Sequence, residues 1–169
     1  GIGAKLHVAN AMGEYSTAGT DVVAKTVNRL LAEGFTPVAY TNALTVDRED
    51  EEIAYQIGSG LAEGAEQAGI LLLGGKMRVE PDVVARVDLL GTAAGVADRT
   101  EAFPGDAATG DRLVGFPSSG IHANGHEVVL KAIGEEVDYS DPFPENQSRS
   151  IGETLLQPTR LYTYLTDAL

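Results

Sequence analysis

Apolar residues recur every three or four positions in two stretches of the chain, and this spacing predicts two amphipathic helices. The first covers residues 21–33, where Gly34 supplies a stop and four apolar positions share one helical face: Val23, Val27, Leu30 and Leu31. The second covers residues 50–68, with apolar positions four apart: Ile53, Ile57, Leu61 and Ala65. Glycines within this second stretch lower its helix propensity, so packing must hold it.

Shorter apolar runs predict strands over residues 5–9, 36–44, 70–73, 87–96 and 112–116. The run at 70–73 is apolar throughout, which is typical of a buried strand. Glycines at 91 and 95 indicate bends, or a close approach of another backbone, in the strand over 87–96. Strands and helices are mixed along the chain, which indicates an α+β fold.

The last third of the chain is predicted to be richer in loops. Residues 100–109 are turn-rich and indicate a loop at a domain edge, and the acidic, proline-containing stretch 135–146 indicates a surface loop. We therefore expect a first domain over 1–105 and the beginning of a second over 106–169, as the length allows.

Local signals also predict helix starts in this part. Asn124, with Glu127 three residues on, is expected to cap a helix over 124–133. Ser150 and Glu153 form the pattern of a capping box for a short helix, and Pro158 suits the first turn of a last one.

Acidic residues outnumber basic ones by 25 to 12, giving a formal charge of −13. A field of this sign repels nucleic acid and anionic lipid, so we expect neither as a partner. No apolar run approaches the roughly 18 residues of a membrane span. Two explanations of the charge stay open: an ordinary acidic protein, or a halophilic-type acidic surface suited to high salt, which the scarcity of Lys favours.

The cellular location is inferred from features that the sequence lacks. The N-terminus has no charged-then-apolar signal pattern, and Gly1 is expected to be a cut point rather than a natural start. The sequence contains no Cys, which fits a cytoplasmic protein without disulfide bonds.

A polar, glycine-bearing loop over 118–125 is the most informative motif. Between the strand at 112–116 and the following helix it carries these residues: Ser118, Ser119, Gly120, His122 and Asn124. A strand–loop–helix junction directs backbone N–H groups and the positive end of a helix dipole at the loop, where an anion can bind. Many such junctions bind nothing, so a structural role stays open.

Other motifs accompany this loop in a fixed order. They are Gly1-Ile2-Gly3-Ala4-Lys5-Leu6, Gly19-Thr20-Asp21, Val27-Asn28-Arg29-Leu30, Leu73-Gly74-Gly75-Lys76 and Pro158-Thr159-Arg160-Leu161-Tyr162. The whole set resembles aminoimidazole ribonucleotide synthetases, formally phosphoribosylformylglycinamidine cyclo-ligases, of purine biosynthesis. The resemblance covers essentially the whole chain, as the family's first domain and the opening of its second.

The resemblance implies both a fold and an assembly. It implies a four-stranded mixed sheet flanked by helices, which closes an eight-stranded barrel with a twin subunit in a homodimer. The start of a second α/β domain would follow. Closing the barrel would remove the open sheet edge of a single subunit.

The resemblance also implies ATP-dependent conversion of formylglycinamidine ribonucleotide to aminoimidazole ribonucleotide, with Mg²⁺. Phosphoryl transfer needs carboxylates for the metal and N–H or cationic donors for phosphate. Candidate residues for binding substrate or nucleotide are Lys5, Asp21, Asn28, Ser118, Ser119, Gly120, His122 and Asn124. We assign no catalytic residue and no metal ligand from the sequence.

Three departures from the family pattern bear on activity. Arg29 and Lys76 stand where the family has carboxylates, and the family's Asp before the first glycine motif lies outside the chain. A cation in place of a carboxylate removes a metal ligand and repels the metal. Two hypotheses therefore remain: an ATP-dependent cyclo-ligase, or a truncated or remodelled non-catalytic dimeric domain that has lost its metal and ATP site.

Several candidate residues also have structural alternatives. Lys5 contacts phosphate or is a solvated Lys at a strand end. Asp21 is a ligand or a helix cap, and His122 binds substrate or is a structural residue in a turn. His7 is expected in a strand, and His126 on the exposed side of a helix. We expect Arg29 and Lys76 to pair with nearby acids rather than to form an anion site.

Overall fold

The computed structural model describes residues 1–98, 105, 107–134 and 137–165. Its helices are α1 (Lys5–Met12), α2 (Ser16–Ala32), α3 (Glu51–Ala68), α4 (His126–Ile133) and α5 (Ile151–Leu155), and a short 3₁₀ helix covers Thr163–Leu165. Its strands are β1 (Thr36–Val46), β2 (Leu71–Val79), β3 (Val87–Val96), β4 (Pro142–Phe143) and β5 (Asn146–Ser150). Within the described ranges, no helix has the length and apolar content needed to cross a membrane.

β1 is the central strand of a mixed sheet with the order β2-β1-β3. β2 pairs with β1 in parallel, and β3 pairs with it antiparallel. This arrangement confirms the α+β class and the strands predicted over 36–44 and 87–96. In the part of the chain that the structure describes, the sheet has three strands rather than the four that the resemblance implied.

The strand prediction for residues 5–9 is wrong, because these residues lie in α1. Gly3 adopts a left-handed conformation (φ +52°) just before the helix, and Leu6, Val8 and Ala9 are buried within it. α1 contacts α5 and β3, so its apolar positions face neighbours from distant parts of the chain. A run of five residues fits either spacing, and only tertiary contacts separate the two.

α2 and α3 confirm the two predicted helices, although α2 begins five residues earlier than its apolar pattern suggested. They cross in close contact through Gly19 and Gly60. A Cβ atom at Gly19 would overlap the backbone of α3, and one at Gly60 would overlap the carbonyl oxygen of Ser16. Asp50 caps α3 by accepting a hydrogen bond from the Ile53 amide at 3.1 Å. Packing between glycine faces therefore offsets the low helix propensity of these residues.

β2 contains the predicted strand 70–73 but contradicts its predicted burial. Every residue of β2 is exposed, and the Leu71 and Leu73 side chains each keep 69% of their accessible surface. β2 is an edge strand of this sheet, because its only hydrogen-bonded neighbour in the described ranges is β1. The apolar run thus predicted the strand correctly. Whether a strand is buried depends on which other elements pack against it, and the run alone does not show this.

Predictions for the last third of the chain are partly wrong. Residues 112–116 form no strand with any described part of the chain, and Leu113 is fully exposed. α4 begins at His126, with Gly125 rather than Asn124 at its cap position. Pro158 lies outside any helix. The capping box of Ser150 and Glu153 is confirmed at the start of α5.

Two predicted loops fall partly outside the described residues. Residues 99–104, 106 and 135–136 are among those not described, so the loop at 100–109 is described only at 105 and 107–109. The predicted surface loop 135–146 contains β4, which pairs with β5, so that part is a hairpin rather than a loop.

Candidate functional site

The segment 157–162 lies between the first helices and the loop 118–125. On the helix side, Lys5 Nζ donates to the Gln157 carbonyl oxygen, and the Thr159 amide and hydroxyl donate to Asp21 Oδ1 at 2.8 and 2.7 Å. The Asn28 amide nitrogen donates to the Arg160 carbonyl oxygen at 2.7 Å, and Asn28 Oδ1 accepts from the Tyr162 amide at 3.1 Å. Three candidate residues, Lys5, Asp21 and Asn28, therefore hold one segment of backbone.

Lys5 and Asp21 form a buried ion pair. Lys5 Nζ lies 2.7 Å from Asp21 Oδ2, and their side chains are 1% and 0% exposed. Burial lowers the pKa of Lys5, and the Asp21 carboxylate partly opposes this effect. The pair is close, but Asp21 Oδ2 lacks a well-directed hydrogen bond among the described residues, so attraction between charges holds it.

The positions of Lys5 and Asp21 rule out the structural alternative proposed for each residue from the sequence. Lys5 is not a solvated residue at a strand end, because it is buried within α1. Asp21 is not a helix cap, because α2 begins at Ser16 and Asp21 lies well inside it. Both Asp21 oxygens are engaged, one by Thr159 and one by Lys5.

On its other side, the segment 157–162 holds the loop. Ser119 Oγ donates to the Pro158 carbonyl oxygen at 2.8 Å, and the Ala123 amide donates to Thr159 Oγ1 at 2.8 Å. Arg160 Nη1 and the Tyr162 hydroxyl each donate to the Pro117 carbonyl oxygen at 3.1 Å. The hydrogen bonds of Gln157 are satisfied when its side-chain amide is in the flipped orientation. The amide nitrogen then donates to the Ser119 carbonyl oxygen at 2.6 Å, and the amide oxygen accepts from Arg149 Nη1. Both ends of the loop are thus fixed.

His122 is half-buried in this loop. Its ring lies 6.0 Å from the Tyr162 ring, centre to centre, and Nε2 accepts a long bond of 3.4 Å from the Ser119 amide. Burial lowers the pKa of His122, partly opposed by the Asp21 charge. A lowered pKa favours the neutral imidazole, and the Ser119 amide gives Nε2 the accepting role.

His126 is buried, contrary to the exposed position predicted for it. It is 2% exposed, and its Nε2 lies 3.1 Å from the Leu155 carbonyl oxygen, so Nε2 carries the proton and donates. Its Nδ1 is buried without a hydrogen-bond partner in the described structure. Burial lowers the pKa of His126, and the bond to Leu155 partly opposes this. His7, in contrast, is an exposed residue of α1 rather than of a strand.

A small cleft of about 230 Å³ joins two of the sequence motifs. One wall is the N-terminal segment Ile2, Gly3 and Ala4, and the other is the start of α4 together with Asn124 and Gly125. Gly125 has no side chain with which to cap the first N–H groups of α4. Lys25, exposed on α2, adds a cation to the lining. Uncapped N–H groups beside an ammonium group can bind an anion such as phosphate.

A second cleft of about 460 Å³ is lined by Pro158, Thr159, Arg160 and Leu161 of the segment 157–162. Hydroxyl groups and one cation line much of it, from Ser16, Thr17, Thr20, Ser119, Thr163 and Arg160. Its walls come from α2, α3 and the segment itself. Ser118 and Gly120 are exposed beside it in the loop, Ser118 Oγ accepting a long bond of 3.4 Å from the Gly120 amide.

The two cations that replace family carboxylates are both at the surface. Arg29 Nε pairs with Glu33 Oε1 at 3.3 Å, and its side chain is 82% exposed, which confirms the predicted pairing with an acid. Lys76 is exposed on β2, opposite Ala43 of β1. Among the residues described, no three Asp, Glu or His side chains lie together as metal ligands. With both Asp21 oxygens engaged, the described residues do not fit Mg²⁺ in the manner that the resemblance implies.

Sequence reasoning missed several residues that build this site. Gln157, Thr159, Arg160 and Tyr162 make most contacts between the helices and the loop. Their motif is one of those that carry the resemblance, but a run of ordinary polar residues gives no local sign of its hydrogen-bond partners. Lys25 gave no signal either, because it is one exposed Lys on a helix face.

The described helices and sheet form an α+β domain with a cleft of about 230 Å³ beside a loop that long-range hydrogen bonds fix. The chain belongs to the family of AIR synthase related proteins, whose N-terminal domain matches residues 1–97. The phosphoribosylformylglycinamidine cyclo-ligase of Methanosarcina acetivorans is 41% identical over 100% of this chain and 51% of its own length. The enzyme of the same name from Thermococcus kodakarensis is 41% identical over 96% of the chain and 48% of its own.

The chain thus spans about half the length of these relatives. Among solved structures, that of tt0281 from Thermus thermophilus is 29% identical over 53% of this chain and 27% of that chain, with a TM-score of 0.44. The resemblance found in the sequence motifs is confirmed by the family match and by the relatives.

Proposed function

We propose that this chain works in the ATP-dependent cyclo-ligase reaction that forms aminoimidazole ribonucleotide from formylglycinamidine ribonucleotide, and that it holds the substrate's phosphate. Its family and the names of its relatives support the reaction. The single observation that carries the chain's own role is the cleft where the glycine motif at the N-terminus meets the start of α4.

The chemistry of this cleft suits a phosphomonoester. Uncapped backbone N–H groups of α4 can donate to phosphate oxygens, and the helix dipole favours the negative charge. Lys25 adds a positive charge to a lining that also contains Glu127, and Asn124 adds an amide that can bind a ribose hydroxyl. At about 230 Å³ the cleft has room for a phosphoribosyl end but not for a whole nucleoside triphosphate with its metal.

ATP is the proposed co-substrate on the strength of the family alone. Its role is to activate an amide oxygen by phosphorylation, and we assign no residue of this chain to its metal. His122 and the hydroxyl groups in the larger cleft are available to orient the rest of the substrate. We also propose that the first domain ends near residue 105, and that the protein is cytoplasmic.

A homodimer is the proposed assembly, with a second copy of the chain packed on the open sheet. Exposed apolar side chains occur on all three strands of the sheet and keep between 39% and 69% of their surface: Val38, Leu71, Leu72, Leu73, Met77, Val79, Leu90 and Val96. Isolated exposed apolar residues are common, but eight of them on one three-stranded sheet, five of these on the edge strand β2, are typical of an interface.

The second candidate function is a non-catalytic dimeric domain. It is favoured by two observations: Lys5 and Asp21 are both engaged within the protein, and Arg29 and Lys76 are exposed cations. In this case the fold and the dimer are retained, while Mg²⁺–ATP binds weakly or not at all.

Calorimetry and an activity assay separate the two functions. The chain is titrated with Mg²⁺–ATP and with formylglycinamidine ribonucleotide, and formation of ADP and aminoimidazole ribonucleotide is measured. Turnover supports the first function. Absence of turnover together with absence of Mg²⁺–ATP binding contradicts it and supports the second.

The phosphate cleft is tested with ribose 5-phosphate and a pair of Lys variants. Lys25→Gln removes the cation of the cleft and is expected to weaken binding by about tenfold, as for loss of one charge-assisted contact. Lys131→Gln, on the far part of α4, is the matched control and should bind as the parent does. Equal losses of ribose 5-phosphate affinity in the two variants would contradict a phosphate site in this cleft.

A further inference from the structure

We infer that Thr159 is a positioning residue, which fixes the loop 118–125 by linking the Ala123 amide to the buried Lys5–Asp21 pair. This inference rests on the proposed function, because the loop borders the proposed phosphate cleft. The link between Ala123 and the Lys5–Asp21 pair consists of two hydrogen bonds of one hydroxyl group. Thr159 Oγ1 lies 2.7 Å from Asp21 Oδ1 and 2.8 Å from the Ala123 nitrogen.

The chemistry of the three groups fixes the direction of both bonds. A backbone amide can only donate, so Ala123 donates to Thr159 Oγ1. The hydroxyl has one proton, and an ionised carboxylate can only accept, so that proton goes to Asp21 Oδ1. Lys5 Nζ lies 2.7 Å from Asp21 Oδ2, on the other oxygen of the same carboxylate. The order is therefore Ala123 amide, Thr159 hydroxyl, Asp21 carboxylate, Lys5 ammonium.

Burial makes this hydrogen-bond chain strong. Thr159, Asp21, Lys5 and Ala123 are all at most 5% exposed, so water does not compete for the bonds. A hydroxyl that donates to a carboxylate becomes a better acceptor, because the first bond polarises it. The charge of the buried pair thus strengthens the hold on an amide of the loop.

The position of Ala123 makes this hold relevant to binding. Ala123 lines the small cleft, and the next two residues, Asn124 and Gly125, form the entrance to α4 in the same cleft. The bond at the Ala123 amide therefore sets where the Asn124 side chain and the first N–H groups of α4 lie. On the loop side, the other described bonds from the segment 157–162 go to Pro117 and Ser119, at the far end of the loop.

The test uses the full chain of 169 residues and three variants. Thr159→Val removes the hydroxyl while keeping the shape, and Thr159→Ser keeps the hydroxyl. Thr26→Val is the matched control, because the Thr26 hydroxyl bonds only carbonyl oxygens within α2, those of Val22 and Val23, in the described structure. Amide hydrogen exchange is measured by NMR, and affinity is measured with inorganic phosphate and with ribose 5-phosphate.

In Thr159→Val, exchange of the Ala123 amide is expected to be about tenfold faster, and the affinity for both probes about tenfold weaker, as for loss of one buried hydrogen bond. Thr159→Ser should restore both to within about twofold of the parent. Thr26→Val should change neither. A purely structural Thr would lower the melting temperature without a selective change at Ala123.

Two results would overturn the inference: unchanged exchange at Ala123 in Thr159→Val, or the same change in Thr26→Val. Failure of the proposed function appears differently, as absence of probe binding by the parent chain. In that case the exchange data still decide whether Thr159 positions the loop, since they require no ligand.

Discussion

Thr159 Oγ1 lies 2.7 Å from Asp21 Oδ1, although the two residues are 138 positions apart in the chain. The bond connects the motif near the end of the described chain to the second turn of α2, and the same Asp21 carboxylate pairs with Lys5. Three of the motifs that carry the resemblance thus meet at one buried carboxylate.

Removing one member of the buried pair is expected to be costly. Asp21→Ala leaves the Lys5 ammonium and the Thr159 donors without their partner, and Lys5→Met leaves the Asp21 charge uncompensated. We expect each change to lower the free energy of unfolding by about 3–5 kcal/mol. Urea denaturation of both variants and of the double variant gives the coupling energy. If the losses of unfolding free energy in the two single variants add up to the loss in the double variant, the two charges do not stabilise each other.

The contact between α2 and α3 makes opposite predictions for two neighbouring glycines. Gly60→Ala places a Cβ against the Ser16 carbonyl oxygen, so the helices must separate, at a cost of about 1–3 kcal/mol or more. Gly58→Ala meets no atom within 4 Å in the described structure, and should stabilise α3 by up to about 1 kcal/mol through helix propensity. Thermal melts of both variants test this. Destabilisation by Gly58→Ala would contradict the helix contact described here.

His126 makes stability depend on pH. Its pKa is lowered in the folded protein, so below the ordinary value of 6.5 the unfolded chain takes up a proton before the folded one does. This contribution to stability is therefore complete above about pH 6.5 and is lost as the pH falls towards the folded pKa. Urea unfolding from about pH 5 to pH 8 should show a weaker pH dependence in His126→Gln, which keeps a donor for Leu155. His7→Gln, at an exposed site, is the control, and an equal effect there would contradict this role.

The open sheet predicts a dimer that one substitution disrupts. Leu73 is 69% exposed on β2, and Leu73→Glu places a charge where a second copy would pack. Light scattering in concentrated KCl should give a dimer mass for the parent chain and a monomer mass for the variant. Tyr55→Glu is the matched control, because Tyr55 is 71% exposed on α3, away from the sheet. A monomeric parent at micromolar concentration would contradict the homodimer.

The net charge predicts a response to salt. A charge of −13 on 169 residues causes self-repulsion that opposes the compact state, and molar salt reduces the screening length to about 3 Å. The melting temperature should therefore rise between low salt and molar KCl. A falling midpoint would argue against the halophilic-type surface.

The sequence by itself determined the features that depend on local patterns. The spacing of apolar residues located α2, α3, β1 and β3, and the capping box located the start of α5. Such signals act between residues a few positions apart, so the sequence displays them directly. The ordered motifs identified the family, because several short patterns in one order seldom coincide by chance.

Only the tertiary structure decided what distant residues do to one another. Residues 5–9 became a helix because α5 and β3 cover their apolar side, and 70–73 became an exposed edge because only β1 lies beside it in the described chain. His126 is buried, and its ring donates a hydrogen bond to the carbonyl oxygen of Leu155, 29 positions away. Lys5, Asp21 and Asn28 looked like free ligands in the sequence, yet their side chains bind a segment more than 120 positions away. Burial and hydrogen-bond partners arise from contacts between distant segments, and local spacing carries no record of those contacts.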